Sequence, residues 1–483
     1  MIRQRNFGPV LIGIALSLSL EACVVGPNYV RPNSELTPFH NMAQVAPSDA
    51  SATPPLDHWW TGFNDPVLVA IVGRALNENL DLAASYARVR QARAMALGAG
   101  AELLPTFDMN GSATREHRSL RGELGSIAGG LPTFRRNVND FTVGPAASWE
   151  VDVFGGLRRN SAAARAELQA AQADHAGVRV TVVAEAADAY LQIRGYQARL
   201  SIAQNQIDTD EHLLRLVHAR YDAGAGQGRE IAQAEALLKQ ARAIVPPLRI
   251  GLEQQLNRLD VLMGEQPGTY ARELETRQEI PSIPALPADE HPSDVLRRRP
   301  DIIAAERRLA ASNEKIGAAI SDYYPKFSLS GALGWDSVSG GHLFVPEAFQ
   351  SVGTGALRWR LFDFGKVDAE VIQARGANAE ALAVYRQAVL LAAEDVEDAL
   401  MTLSQTELHV AELQDQVQSL ERARDLSEQA YRAGSITLTD VLDADRQLLA
   451  ARDELEANRA GSARAAVGVF RAFGGGWDPA GST

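Results

Sequence analysis

The sequence predicts an α+β membrane protein in which one unit, long coiled-coil helices carrying a β-hairpin, is used twice. Three observations carry that prediction. Matched residues recur at an offset of 220 early in the chain and 210 later. Two proline-free stretches, 157–222 and 365–432, are each long enough for about 100 Å of helix. Four segments of about ten residues alternate apolar and polar side chains, the pattern of strands with one greasy and one wet face.

Composition narrows the function classes. Hydrophobic residues make up 46% of the 483 and charged residues 22%, which excludes disorder for most of the chain. One cysteine excludes a disulfide framework and any zinc site built on several thiolates. Lys+Arg 47 against Asp+Glu 60 gives a net charge of −13, so nucleic acid is not an expected partner. No apolar run reaches the length of a transmembrane helix, so a membrane would have to be entered another way. The nine histidines show no metal-ligand spacing, no Gly-Lys phosphate loop occurs, and no nucleophile constellation stands out. No catalysis, metal or cofactor is expected.

The N-terminus reads as a signal peptide over 1–22. Arg3 and Arg5 precede an apolar stretch from Phe7 to Leu20, too short to span a bilayer. Leu20-Glu21-Ala22-Cys23 then resembles a lipoprotein processing site that would leave Cys23 acylated, although Glu21 stands where a small or hydroxylated residue is the rule. Val24 is not Asp, which by resemblance to the lipoprotein sorting rule favours the outer membrane. Residues 23–64 are expected to form a lipidated strap, extended where it is Pro-rich.

The repeat then organises the chain and replaces the three domains that length alone suggests. Leu104-Pro105-Thr106-Phe107 answers Tyr324-Pro325-Lys326-Phe327, Trp149 to Gly155 answers Trp359 to Gly365, and Tyr221-Asp222-Ala223-Gly224 answers Tyr431-Arg432-Ala433-Gly434. The offset changes by ten residues between Gly111 and Trp149, in a loop rich in Gly, Ser and Arg. Repeat 1 (65–264) is expected to hold a short helix 67–101, strands near 105–114 and 140–154, the long helix 157–222 and a short helix 229–263. An equatorial linker, 265–288, follows. Repeat 2 (289–474) mirrors it with a short helix 289–322, strands near 326–336 and 351–363, the long helix 365–432 and a short helix 437–473, before a disordered tail 475–483. Gly224 and Gly434 are placed to end the long helices. Pro246-Pro247 should interrupt and kink one short helix. Val389, Ala392, Val396, Ala399, Leu403, Thr406, Val410, Leu413, Val417, Leu420, Arg424, Ser427 and Tyr431 keep a heptad without a slip, as a left-handed coiled coil requires.

The strand segments have the length of tilted membrane strands, and Trp149, Trp335 and Trp359 lie on the apolar face as interface anchors. Four strands cannot close a barrel. An open edge in lipid strands backbone groups at several kcal/mol each, so copies must associate. Two copies give eight strands and three give twelve, and a wide water-filled lumen favours twelve.

Cys23 followed by Val24-Val25-Gly26-Pro27-Asn28-Tyr29-Val30-Arg31-Pro32, together with Leu296-Arg297-Arg298-Arg299-Pro300-Asp301-Ile302 and the duplicated unit, resembles the outer-membrane factor family, TolC-like efflux channels of the NodT lipoprotein type. The resemblance covers nearly the whole mature chain. It implies a homotrimer whose twelve-stranded barrel, set in outer-membrane lipid, continues into a periplasmic helical barrel. It also implies docking to a periplasmic adaptor and an RND-type inner-membrane pump. Tyr431-x-x-Gly434 with Asp440-Val441-Leu442-Asp443 is similar to the family's periplasmic gate, where Asp440 and Asp443 would contribute six carboxylates in a trimer. The family pairs the first copy's acid with the second copy's tyrosine, here Glu230 with Tyr431. Ile436 replaces the family's usual arginine, and Arg229 is the candidate substitute. Asp440 and Asp443 equally suit the first turn of a helix. Arg297 to Arg299 reads either as an anion site or as structural at a helix start. The leading expectation is a passive exit duct; a periplasmic coiled-coil adaptor or scaffold lipoprotein is the alternative.

Overall fold

A computed structural model describes residues 24–33, 37–42, 53–286 and 292–478. Cys23 and the expected signal peptide lie outside the described residues. The elements in chain order are a 3-10 helix Leu56–Phe63, α1 Pro66–Glu78, α2 Leu80–Ala101, β1 Thr106–His117, α3 Glu123–Ala128, β2 Asn137–Val151, α4 Gly156–Asp222, α5 Gly228–Leu262, α6 Pro292–Arg298, α7 Pro300–Ser321, β3 Lys326–Ser337, β4 Phe349–Arg358, α8 Lys366–Arg432 and α9 Leu438–Ala472, with two further short 3-10 turns before β4. Two compact units divide the chain. The first takes residues up to Pro32, Arg90–Gln169 and Glu306–Val384; the second takes the rest.

The first unit holds one antiparallel sheet in the order β1-β2-β3-β4. Among the described residues the outer edges of β1 and β4 pair with nothing. Phe107 and Met109 on β1, Leu329 and Leu333 on β3, and Val352 and Leu357 on β4 are exposed. Pro145 sits inside the central strand β2, where a missing N–H is unwelcome. It pairs with Met109 on β1, while the β2–β3 ladder omits Gly144 and Pro145. A Cβ on Gly144 would fall 2.0 Å from the Leu333 carbonyl oxygen, so only glycine admits that approach.

The strands end differently from the sequence expectation because side chains recruit their ends. The second strand stops at Val151, short of 154, since Asp152 turns to cap α4 by accepting from Leu157 N (3.1 Å) and Arg158 N (2.9 Å). Asp363 does the same for α8 through Gly365 N and Val367 N, and the fourth strand runs Phe349–Arg358 rather than 351–363. Trp359 therefore lies just beyond β4. Its indole donates to the Tyr323 carbonyl at 3.0 Å, and Trp149 donates to the Leu103 carbonyl at the same distance. Each repeat thus ties the end of its second strand to the segment that joins its short helix to its first strand. The first strand extends to His117, beyond 114, and a short helix, α3, forms in the segment expected to be loop.

The strap after Cys23 docks in this unit. Arg159, with its side chain 6% exposed, donates to the carbonyls of Val25 and Gly26 and to Asn28 Oδ1, and pairs with Glu314 at 2.7 Å. Gly26 has φ +93°, and a Cβ there would strike the Gly317 backbone at 2.5 Å. Tyr29 donates to Glu306 at 2.8 Å.

The second unit packs one large apolar core. Trp59 stacks on Phe470 at 5.2 Å, and Trp60, Phe63, Leu68, Ile71, Tyr190, Ile193, Leu400 and Phe473 join it. The aromatic 3-10 turn lies inside the stretch 23–64 read as a strap. Of the neighbours Ala399 and Leu400 on α8, Leu400 and not the expected Ala399 is the fully buried one. The helix expected over 67–101 breaks at Asn79, whose ψ of 128° leaves the helical region; its Oδ1 caps α2 through Leu82 N and its Nδ2 holds the Leu262 carbonyl. The helix expected over 289–322 breaks at Arg299, where the following Pro300 disfavours helical backbone; residues 289–291 lie outside the described residues. Pro246 and Pro247 do not interrupt α5, because buried Leu238, Ala241 and Leu248 anchor it on both sides. The expected disordered tail 475–483 begins as a docked turn: Gly476 N donates to the Leu56 carbonyl, Arg179 holds the Gly476 carbonyl, and Trp477 is buried. Residues 479–483 lie outside the described residues.

Arg159→Met strands Glu314 and releases the strap carbonyls. It is expected to cost about 3 kcal/mol and to open residues 25–31 to limited proteolysis. A strap as protected as in the parent chain would contradict this role.

Candidate functional site

The residues read as a gate gather at two helix turns of the second unit. α4 and α8 each end in a glycine with positive φ, Gly224 at +72° and Gly434 at +77°. Ala225 N reaches back to the Arg220 carbonyl and Ser435 N to the Ala430 carbonyl, both at 2.9 Å, so each helix closes with the same glycine cap. Each turn then leads into a capping box. Glu230 accepts from Gln227 N at 3.2 Å, and Asp440 accepts from Thr437 N at 2.9 Å and from Thr437 Oγ1 at 2.7 Å. Leu213 and Val217 of α4, Ala234 and Leu237 of α5, Tyr431 of α8, and Leu438, Val441 and Leu442 of α9 bury one another beneath the two turns.

The acids are therefore engaged. Asp440 is exposed, and the Thr437 hydroxyl and then its amide hold the carboxyl below the usual carboxylate range, so it stays ionised at neutral pH. Asp443, also exposed, pairs with Arg446 on its own helix at 2.9 Å. Tyr431 is buried, its hydroxyl makes no hydrogen bond among the described residues, and the Arg220 guanidinium lies 4.5 Å over its ring. Burial, then the charge of Glu230, raises the Tyr431 phenol. Glu230 is thus close enough to be felt, but no hydrogen bond joins it to Tyr431 among the described residues. Arg229 is exposed and forms no hydrogen bond or ion pair with either among the described residues. Ile436 instead packs partly buried against the Tyr431 cluster.

A polar knot that the sequence reading missed lies two heptad-spaced turns above Tyr431. Arg424 of α8 pairs with Asp445 of α9 at 3.0 Å and with Glu428 at 2.7 Å. Asp210 of α4, 1% exposed, accepts from Gln206 at 2.8 Å, and its second oxygen has no hydrogen-bond partner among the described residues. Burial pushes Asp210 up to about 6, with the Asp445 charge adding to it against Gln206 and Arg424. The signal was Arg424 standing in the apolar heptad seam, where a charge must find partners.

Of the other sequence candidates, Trp149 and Trp359 are exposed with satisfied indoles, and Trp335 meets Phe344 and Phe349 edge-on at 5.6 and 6.1 Å. Arg299 is structural: it pairs with Asp301 and Asp395 and donates to the Ala392 and Ala472 carbonyls. Among the described residues no group of His, Cys, Asp or Glu has metal-binding geometry.

Asp210 binds its proton more tightly folded than unfolded. Stability is therefore expected to fall as pH rises from about 4 to about 6, with a cost of about 2–3 kcal/mol fully present above that window. Asp210→Asn should raise the thermal midpoint at pH 7.5 and flatten that slope; an unchanged pH profile would contradict the assignment.

The comparisons with known proteins agree on one family. The profile described as outer membrane efflux protein matches residues 71–265 and 291–475. The chain is 34% identical over 430 residues to the pyoverdine export outer membrane protein OpmQ of Pseudomonas aeruginosa, covering 89% of each chain. It is 30% identical to nodulation protein T of Rhizobium leguminosarum bv. trifolii, covering 89% of this chain and 90% of that one. The solved structure of the outer-membrane channel OprN superposes with a TM-score of 0.87 at 33% identity, covering 95% of this chain and all of that one. OpmQ is an outer-membrane export protein and OprN an outer-membrane channel, and this chain belongs to the outer membrane efflux protein family.

Proposed function

We propose that the chain forms the passive exit duct of a tripartite efflux system as a homotrimer. Three four-stranded sheets complete a twelve-stranded barrel in the outer membrane, and the long helices continue it as a periplasmic helical barrel. The observation that carries this reading is the open sheet: among the described residues both edges are unpaired while apolar side chains are exposed. Hydrocarbon does not tolerate such edges, and lateral closure with sister chains satisfies them. Acylation at Cys23 adds a lipid anchor beside the docked strap. Energy comes from partners, a periplasmic adaptor and an RND-type inner-membrane pump, because the sequence carries no phosphate-binding loop. The adaptor or scaffold alternative leaves four outward-greasy strands without a purpose.

The periplasmic end closes around the two glycine-capped turns. Asp440, held ionised by Thr437, and Asp443 place two carboxylates per chain near the constriction, six in the trimer. The apolar cluster around Tyr431 keeps the four helix ends together, so opening must separate side chains that are now dry.

In planar bilayers the protein should conduct as single channels with cation preference, and Asp440→Asn/Asp443→Asn should lower the cation-to-anion permeability ratio severalfold. A parent without conductance refutes the duct, and unchanged selectivity in the double variant removes these carboxylates from the gate.

A further inference from the structure

The ten-residue change of offset falls in the connection between β1 and β2, and nothing in the gate or the sheet uses it. Residues 115–136 carry Arg115, Arg118, Arg121, Arg135 and Arg136 against Glu116 and Glu123, five arginines to two glutamates, a formal +3 in a chain of −13. The equivalent connection of the second repeat, 338–348, contains no Lys or Arg at all. The basic character is therefore not a demand of the fold. Arg121 and Arg135 are exposed and form no ion pair among the described residues, while Glu116 is taken by Arg118 at 3.1 Å. Beside them Leu120, Leu124, Ile127 and Leu131 are exposed, Ile127 by 81%. The tip is nonetheless built. Arg118 N donates to the Arg136 carbonyl at 2.6 Å, and His117 bridges Asn137 (2.7 Å) and Arg136 (3.0 Å), so the hairpin base is pinned.

Free arginines interleaved with exposed aliphatic side chains are what an anionic lipid interface binds: charge meets phosphate, and the apolar groups enter the acyl boundary. The strands join the helices at their other ends, so the proposed periplasmic placement of the helices puts this hairpin at the outer leaflet. We propose that the β1–β2 hairpin tip is a lipid-binding surface for phosphate-bearing glycolipid of that leaflet, with Arg121 and Arg135 taking the phosphates and Leu124 and Ile127 the acyl boundary. The inference rests on the outer-membrane duct reading and adds to it a partner that the channel itself does not require.

The test titrates the full chain in neutral detergent with bisphosphorylated lipid A and with its dephosphorylated form, counting bound lipid by native mass spectrometry. The parent should prefer the phosphorylated form, with affinity falling at high salt. Arg121→Gln/Arg135→Gln should weaken that form roughly tenfold and leave the dephosphorylated one unchanged. Leu124→Ser/Ile127→Ser should weaken both forms, and inorganic phosphate should not displace the lipid. Equal affinity of parent and arginine variant, no preference between the two lipids, or displacement by phosphate alone overturns the proposal. Planar-bilayer conductance separates the two readings. The arginine variant should conduct as the parent does, and a parent that binds the lipid but never conducts refutes the duct rather than the lipid surface.

Discussion

A backbone in hydrocarbon has no water to fall back on, and that constraint shapes the rest of this molecule. Among the described residues one chain supplies four strands, too few to close, and leaves β1 and β4 with open edges. The outward side chains suit lipid rather than a covering layer of protein. In the proposed trimer sister chains complete this sheet, and the apparatus around it fixes how its strands meet the helices. Two indoles pin strand to helix, two aspartates cap the long helices, and a buried arginine clamps the strap that follows the expected lipid site.

The duplication sets which features recur and which do not. The glycine caps, capping boxes and Trp-to-carbonyl ties appear in both repeats, because every copy must solve the same turn and the same strand-to-helix join. The departures lie where one copy has its own task. Glu230 and Asp440 occupy equivalent caps, but only the second copy adds Asp443 and places Tyr431 in the apolar cluster. Only the first copy carries the basic hairpin tip.

Much of this was legible in the sequence because it rests on periodicity. A two-residue alternation and an unbroken heptad report local backbone geometry directly, and the matched pairs expose the duplication. What the sequence hid depends on contacts made far along the chain. Asn79 breaks a helix because its amide meets Leu262, and Trp477 orders the start of the tail because Arg179 and Leu56 hold its neighbour Gly476. Pro246-Pro247 misled because a local rule for proline yields to the packing of Leu238, Ala241 and Leu248 on either side. At the turns read as a gate, residue identity allows either a ring of carboxylates or acids of a helix first turn, and the structure binds Asp440 to Thr437 in a capping box and Asp443 to Arg446. The Asp210–Arg424–Asp445 knot was half visible, since a charge inside a heptad seam signals buried partners without naming them.

The central claim is that sister chains complete the sheet. The most direct measurement is the mass of the full chain extracted from membranes in mild detergent, taken with disulfide trapping between cysteines placed singly on β1 and on β4. The account requires three copies per particle and cross-links that join β1 of one copy to β4 of the next. A monodisperse single chain, or β1–β4 cross-links formed only within one chain, would contradict it.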